Sequence, residues 1–358
     1  MSKLISCLAA GLLSAAVVGF APSASAKNEE WQDIHGNTFS GTAVEALGPF
    51  AVFSVSNTVG RRLPMQALPL SQLVRFYQAV KDHPPRADNW EQAKSALTSE
   101  LRGHLQKLEG KKLVSYSVAG HPEPELIVVF FVNQQAGDSW KILGPSWAPY
   151  SEIQKVYPGM MEALTFGMGY SRWEYEKMAA DQNAPWLAAD LEDEGALDML
   201  QDYIPGNGYS IVAMTRDGVP LFSAVNPSQN ETKKFWGVVG EFLSLLSPEN
   251  PYSWKPVAWY RTAEQIAEHP TGRVGPELVG NPIRGDVLKR YKIYSFDAEL
   301  GVKADGTVSD VDLKKTASIP PKIGEAIQAA LKMAVFVPAV DNGKPADGTF
   351  AYHFRIQP

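Results

Sequence analysis

Seven consecutive apolar residues, Leu126-Ile127-Val128-Val129-Phe130-Phe131-Val132, constrain the fold of this chain more than any other stretch. Neighbouring side chains on a strand point to opposite faces, so an unbroken apolar run is stable only where both faces are covered. The run therefore predicts the central strand of a sheet with helices above and below. Its surroundings agree: spacing predicts helices over Trp90 to Leu108, Ser151 to Leu164, Tyr170 to Asp181 and Leu197 to Tyr203, and a strand over Ser210 to Met214. This alternation argues for an α/β domain over residues 90–252.

Two segments with a different grammar flank it. Residues 27–82 read as short strands, Thr38 to Val44 and Phe50 to Val55, then Gly60 to Met65, with a helix over Leu70 to Val80. That is a small barrel ending in a helix. After a Pro/Gly-rich stretch, assigned with its surroundings as a linker over 253–289, residues 290–358 read as two strands around Ala304-Asp305-Gly306, a helix from Lys322 to Met333 and a last strand from Phe350 to Ile356. The ββαβ order predicts a helix on one face of an antiparallel sheet. The fold class expected is multidomain α+β.

The amino terminus has Lys3, a 17-residue apolar run from Leu4 to Phe20, and Ala24-Ser25-Ala26 before polar residues. This order predicts a signal peptide, residues 1–26, cleaved after Ala26 and delivering the protein to a periplasmic or extracytoplasmic compartment. No later segment is long and apolar enough to span a bilayer, so no transmembrane span is expected after cleavage. The single cysteine, Cys7, lies in this leader. The exported chain is then expected to have no disulfides, no thiolate metal site and no thiol chemistry. A net charge of −6 without a basic block argues against nucleic acid as a partner.

Three resemblances follow from motifs. Trp31-x-Asp33-x-x-Gly36-x-x-Phe39, Gly60 to Pro64 and Leu70-x-x-Leu73-x-x-Phe76 resemble the homology domain of Sla-type endocytic adaptors, an SH3-like barrel. The resemblance implies that Trp31 anchors the core, and peptides are ligands in the eukaryotic family. Gly36 suits a turn needing positive φ. The middle segment resembles a thioredoxin-like domain of the nucleoredoxin and tryparedoxin kind, through Phe130-Phe131, Pro149-Tyr150-x-x-Ile153, Ala184-Pro185-Trp186-Leu187 and Gly208 to Val212 followed by Asp217-Gly218. In that family the strand is followed by Cys-x-x-Cys, with the first thiol acidified at a helix start. Here the matching stretch, Lys141 to Gly144, has no cysteine, and Ser210 stands where the family has its cis-proline. The resemblance implies a redox-inactive relative. The last segment resembles the C-terminal domain of TonB, through Asp305-Gly306-x-Val308, the Ala326 to Ala334 helix, Phe336-x-Pro338-Ala339 and Gly343-Lys344-Pro345. In TonB this domain receives a partner's peptide by strand addition at a sheet edge.

No Gly-x-Ser-x-Gly elbow, His-Glu-x-x-His, phosphate loop or dinucleotide fingerprint is present, and six histidines are scattered without ligand spacing. No catalytic residue, cofactor or metal is expected. The acidic run Asp190 to Glu194 lacks the alternating ligands and glycine of a calcium loop and reads as a solvated helix start. Candidate binding residues are the aromatics Trp140, Trp147 and Tyr150, as an exposed platform, and Phe350, Tyr352 and Phe354 on the last strand. The expected function is a non-catalytic adaptor with protein or peptide partners in the cell envelope. The alternatives are a TonB-type transducer with a retained anchor, or an enzyme using the thioredoxin-like cleft for non-redox chemistry.

Overall fold

The structure is a computed structural model and describes residues 28–56, 58–136, 139–182, 184–189, 200–201, 203–204, 208–314 and 319–357. The expected leader, the acidic run 190–194 and most of the expected helix 197–203 lie outside these. No described helix is long and apolar enough to cross a membrane. The described chain forms two compact units. One comprises Arg86–Trp236 with the short stretch Ser56–Val59; the other comprises the remaining described residues before Arg86 and Gly237–Pro358.

The amino-terminal part of the second unit is a four-stranded antiparallel sheet in sequence order, β1 (Glu29–Gln32), β2 (Thr38–Leu47), β3 (Phe50–Ser56) and β4 (Val59–Pro64), followed by helix α1 (Leu70–Val80). Trp31 is 1% exposed, donates its indole N–H to the Gly41 carbonyl at 3.0 Å and packs on Phe53 with ring centroids 5.0 Å apart. Helix α1 closes the core because Leu73, Phe76, Tyr77 and Val80 recur at helical spacing on one face. Gly36 has φ +83° between β1 and β2, as its place in the sequence predicts.

In the other unit, short helix α2 (Ala96–Leu101) leads into the hairpin β5 (Leu105–Glu109) and β6 (Lys112–Ser115). Then come β7 (Leu126–Asn133), α3 (Leu143–Val156), β8 (Met161–Met168), α4 (Arg172–Gln182), β9 (Leu187–Ala189), β10 (Ser210–Thr215), β11 (Pro220–Val225) and α5 (Gln229–Leu246). The sheet runs in the order β11-β10-β7-β8-β9-β5-β6. Strand β7 is central and the residues from Leu126 to Val132 are fully buried. Its Phe130 packs on Trp186 at 4.7 Å and faces Trp236 at 6.2 Å, while Phe131 meets Phe166. Ile127, Val129 and Phe131 share a core with Trp90, Leu97 and Leu101, so alternate residues of β7 fill two different layers.

Two expectations in this unit are corrected. The segment Trp90 to Leu108 is not one helix: a 3-10 turn at Trp90–Gln92 and helix α2 are followed by a hairpin turning at Gly110, whose φ is +64°. Leu101, Leu105 and Leu108 are spaced as on a helix, but Gly103 and Gly110 break the segment into turns. Likewise Ser151 to Leu164 is not one helix. Helix α3 begins earlier and ends at Val156, Gly159 takes φ +70°, and Met161 starts β8. The dipeptide Pro158-Gly159 is a stronger signal than the helix-forming side chains around it.

The second unit resumes at Gly237, within α5, and continues with α6 (Pro251–Glu268), β12 (Arg273–Val274), β13 (Glu277–Gly280) and α7 (Gly285–Arg290). Strands β14 (Ser295–Val302) and β15 (Val308–Leu313), helix α8 (Pro321–Leu331), β16 (Val335–Val337), β17 (Ala339–Asp341), β18 (Lys344–Ala346) and β19 (Gly348–Arg355) complete it. Residues 253–289 are therefore not a linker. The Asn250 side chain caps α6 by accepting from Tyr252 N at 3.0 Å, with Pro251 in its first turn. Ala263 of α6 is fully buried in the core around Trp31, and Trp259 donates to the Leu68 carbonyl at 3.2 Å. Beyond the helix, β12 pairs with β17 and β13 with β16. The ββαβ core stands as expected, with sheet order β15-β14-β19 and Phe296, Leu300, Ile327 and Leu331 in one cluster. Asn342 (φ 49°) and Gly343 (φ 71°) form the β17–β18 turn.

Candidate functional site

Strands β7 and β8 are parallel, and their carboxyl ends are where side chains from the following loops converge. Gln134, just past β7, donates its backbone N–H to the Met168 carbonyl at 3.0 Å and its side-chain amide to Glu174 at 3.1 Å. Glu174 accepts from Ser171 N and Oγ at 2.9 and 2.7 Å, a capping box at the start of α4 that holds its carboxyl below the usual range. The Trp140 indole N–H donates to the Tyr170 hydroxyl at 2.7 Å, and the Trp140 ring also meets buried Tyr175 edge-on at 5.4 Å. This aromatic clasp occupies the ground above the sheet.

The stretch from Lys141 to Gly144 runs into the amino end of α3, and Ile142 and Leu143 point into the core, 2% and 1% exposed. It contains no cysteine. Ser210 opens β10, paired with Phe131, and no cis peptide bond occurs among the described residues. Its buried hydroxyl has no hydrogen-bond partner among them.

The expected aromatic platform does not form as a surface. Trp140 and Tyr150 are buried, 8% and 7% exposed, and only Trp147 stands out at 49%. On α3 the buried positions are Leu143, Ser146, Tyr150 and Ile153, a helical stripe that leaves Trp147 off the face packed on the sheet. Tyr150 instead donates to Glu162 Oε1 at 2.9 Å, and Gln154 reaches both the Tyr150 hydroxyl and the Met161 carbonyl. Desolvation pushes the Glu162 carboxyl up, and Tyr150 is raised by burial and by Glu162. Sequence reasoning missed Glu162, because its segment reads as helix.

The second candidate region is β19. It lies at the edge of its sheet, paired only with β14 among the described residues, in the register Ser295↔Arg355 to Val302↔Gly348. Phe350, Tyr352 and Phe354 do not face outward. Phe296 stacks on Tyr352 and Phe354 at 5.8 and 5.0 Å, and Phe350 meets Phe336 at 5.0 Å. They are core residues because strand alternation turns every second side chain toward α8. The opposite face carries Thr349, Ala351, His353 and Arg355, and Asp297 accepts from Arg355 at 2.8 Å and lies 2.9 Å from His353 Nδ1.

The backbone at this edge can be assigned. Ile356 N donates to the Tyr294 carbonyl at 2.9 Å, extending the β14–β19 ladder. In an antiparallel pair, residues with both groups on the ladder alternate with residues whose groups point away. Phe354, Tyr352 and Phe350 thus share the inward phase of Ile356. Arg355, His353, Ala351 and Thr349 present N–H and C=O to the open side.

The unit of β7 to β11 contains β-α-β followed by a β-β hairpin and a helix, with β8-β7-β10-β11 adjacent and β10 antiparallel to β7. That arrangement is thioredoxin-like. No family model matches the chain, and no curated protein does. Among solved structures, a thiol:disulfide interchange protein from a Bacteroides species is 12% identical, covering 34% of this chain and 74% of its own, with a TM-score of 0.28. A secreted Mycobacterium tuberculosis disulfide oxidoreductase is 12% identical over 39% of this chain and 98% of its own, TM-score 0.27. A cysteine-to-serine mutant of peroxiredoxin Q from Xanthomonas campestris is 12% identical over 42% of this chain and 98% of its own, TM-score 0.31. These likenesses are too distant to bear on activity, and the fold assignment rests on the strand order and direction above.

Proposed function

We propose that the chain is an exported, non-catalytic binding protein of the cell envelope, and that its working surface is the open edge of β19. The observation that carries this reading is the phase of the strand: four consecutive alternate residues, from Thr349 to Arg355, offer backbone donors and acceptors to a partner, while the aromatics are committed to the core. An extended peptide that adds to such an edge gains main-chain hydrogen bonds at every second residue. On this reading residues 27–82 are SH3-like, residues 290–358 are TonB-like, and the thioredoxin-like unit is kept for its shape. Ile142 and Leu143 support the last point, because they fill with apolar side chains the stretch matching the family's dyad.

The decisive experiment is capture of envelope peptides by the exported protein with and without Ala351→Pro. Proline at Ala351 deletes an outward N–H and leaves the β14 ladder intact, as an edge strand tolerates. Binding should drop at least tenfold with an unchanged circular dichroism spectrum; unchanged binding rules out strand addition at this edge. A disulfide-reductase assay on the same protein should give the buffer rate. Mass spectrometry of the exported protein should find Lys27 at the amino terminus, and Met1 retained in membrane fractions would favour an anchored transducer.

A further inference from the structure

A cleft of about 520 Å3 opens within the second unit, between α6, the Asp305-Gly306 turn and the corner joining α8 to β16. Its apolar lining includes Ala258, Trp259, Phe336 and Pro338, and Met333 stands at its margin, 66% exposed. The Trp259 indole N–H is already committed to the Leu68 carbonyl, so what remains of that side chain for a ligand is ring surface. The size falls among small-molecule sites, roughly 300–1,000 Å3.

Charge distinguishes this cleft from a packing defect. Lys255 and Lys332 line it, both exposed, and neither forms an ion pair among the described residues. The third ionisable lining residue, Asp305, is exposed, and its carboxylate accepts from Thr307 N at 3.0 Å and Thr307 Oγ1 at 2.6 Å, which also holds it ionised, so the lining carries two positive charges against one negative. The lining thus carries a local excess of positive charge on a chain whose net charge is −6. Lys332 caps α8, where a cation complements the helix dipole. Lys255 has no such explanation, since it sits toward the amino end of α6, where the dipole favours anions.

We propose that this cleft binds a small amphipathic carboxylate, with its apolar body against Trp259 and Met333 and its carboxylate paired with Lys255 and Lys332. Flexible Met333 adapts to the shape of the apolar body, and two cationic side chains reward a single negative charge more than a neutral polar head. Such a site is independent of β19, so loss of one leaves the other in place.

The test titrates the full chain with octanoate and, separately, with octanol, following backbone amides by transverse-relaxation-optimised NMR. Octanoate should shift the amides of Gly306, Ala334 and Phe336 saturably, and octanol should bind at least tenfold more weakly. The Lys255→Gln, Lys332→Gln double variant should lose at least tenfold in octanoate affinity at an unchanged melting temperature. Because both lysines are exposed, folding is not at stake; were the variant unstable, the octanoate and octanol comparison on the unaltered chain decides alone. Equal affinity for the two probes, or shifts confined to other regions, would overturn the proposal. So would amide shifts at the cleft that follow protein concentration instead of octanoate, which would assign the face to a second copy of the chain.

Discussion

Trp140 donates its indole N–H to the Tyr170 hydroxyl at 2.7 Å, joining the loop after β7 to the loop after β8. The bond closes the end of the sheet at which a thioredoxin-like domain would present its reactive group, and it does so with an indole and a phenol. Trp140→Phe, which keeps the ring and loses the bond, should cost about 1 kcal/mol of stability. Trp140→Ala, which also leaves a cavity, should cost about 3–5 kcal/mol. Urea midpoints unchanged in both variants would show that the clasp holds nothing.

Glu123 is fully buried and accepts from Ala87 N at 2.8 Å and from the Thr98 hydroxyl, with Arg216 3.7 Å away. The short segment before α2 is fastened to the sheet through it. Glu123→Gln keeps the shape and removes the charge, leaving Arg216 buried with one counter-charge fewer; the loss should be about 3–5 kcal/mol by chemical denaturation. A loss below about 1 kcal/mol would mean that the network is not electrostatic.

The Glu162 carboxyl is pushed up by desolvation, so the folded state holds its proton to higher pH than the unfolded chain does. Its contribution is fully present below the unfolded value near 4.5 and is lost as pH rises through the folded value. Glu162→Gln still accepts from Tyr150 and carries no charge to desolvate. The variant should be more stable than the parent at pH 7 and indistinguishable from it near pH 4; a parent curve that rises over that interval in step with the variant would contradict the assignment.

Gly306 has φ +78°, and a Cβ there would lie 2.3 Å from the Phe336 carbonyl oxygen. Its N–H also answers the Lys303 carbonyl, which makes the turn between β14 and β15. Gly306→Ala should cost at least about 1–2 kcal/mol from the backbone alone, and more from the collision. Thermal melts of this variant beside Gly324→Ala, a helical glycine with ordinary van der Waals room around its would-be Cβ, separate the local effect from a general one.

What could be read from the sequence was whatever local chemistry dictates. Helix α1 matches its expected bounds because Leu73, Phe76, Tyr77 and Val80 leave one solution for the apolar face. Strand β7 is equally explicit, and so are the turns at Gly36 and Asn342-Gly343, where positive φ restricts the residue choice. The misreadings share a cause. Met161-Glu162-Ala163-Leu164 are good helix formers that the sheet draws into a strand, since pairing with β7 outweighs propensity. Helix α6 is masked by the Pro/Gly-rich stretch from Pro270 to Pro282, which reads as a linker together with its surroundings, whereas the helix itself runs to Glu268 and carries Pro251 in its opening turn and Pro256 within it. For the site, residue type was the guide and orientation was missing. Trp140, Tyr150, Phe350, Tyr352 and Phe354 are aromatic, but only packing reveals that they face inward.

Ala263 and Trp259 complete the core around Trp31, so the first sheet waits for a helix that the ribosome makes much later. Between Val80 and Ala263 lies the whole of Arg86–Trp236, a self-contained unit inserted into its host. At roughly 5–20 residues per second, that delay is on the order of ten seconds or more. During it the core around Trp31 has only α1 as cover and lacks Ala263 and Trp259, so the side of Phe76 and Tyr77 that later meets Tyr260 stays open to water. Chain order thus lets the inserted unit complete its core while the segment made before it still lacks part of its own.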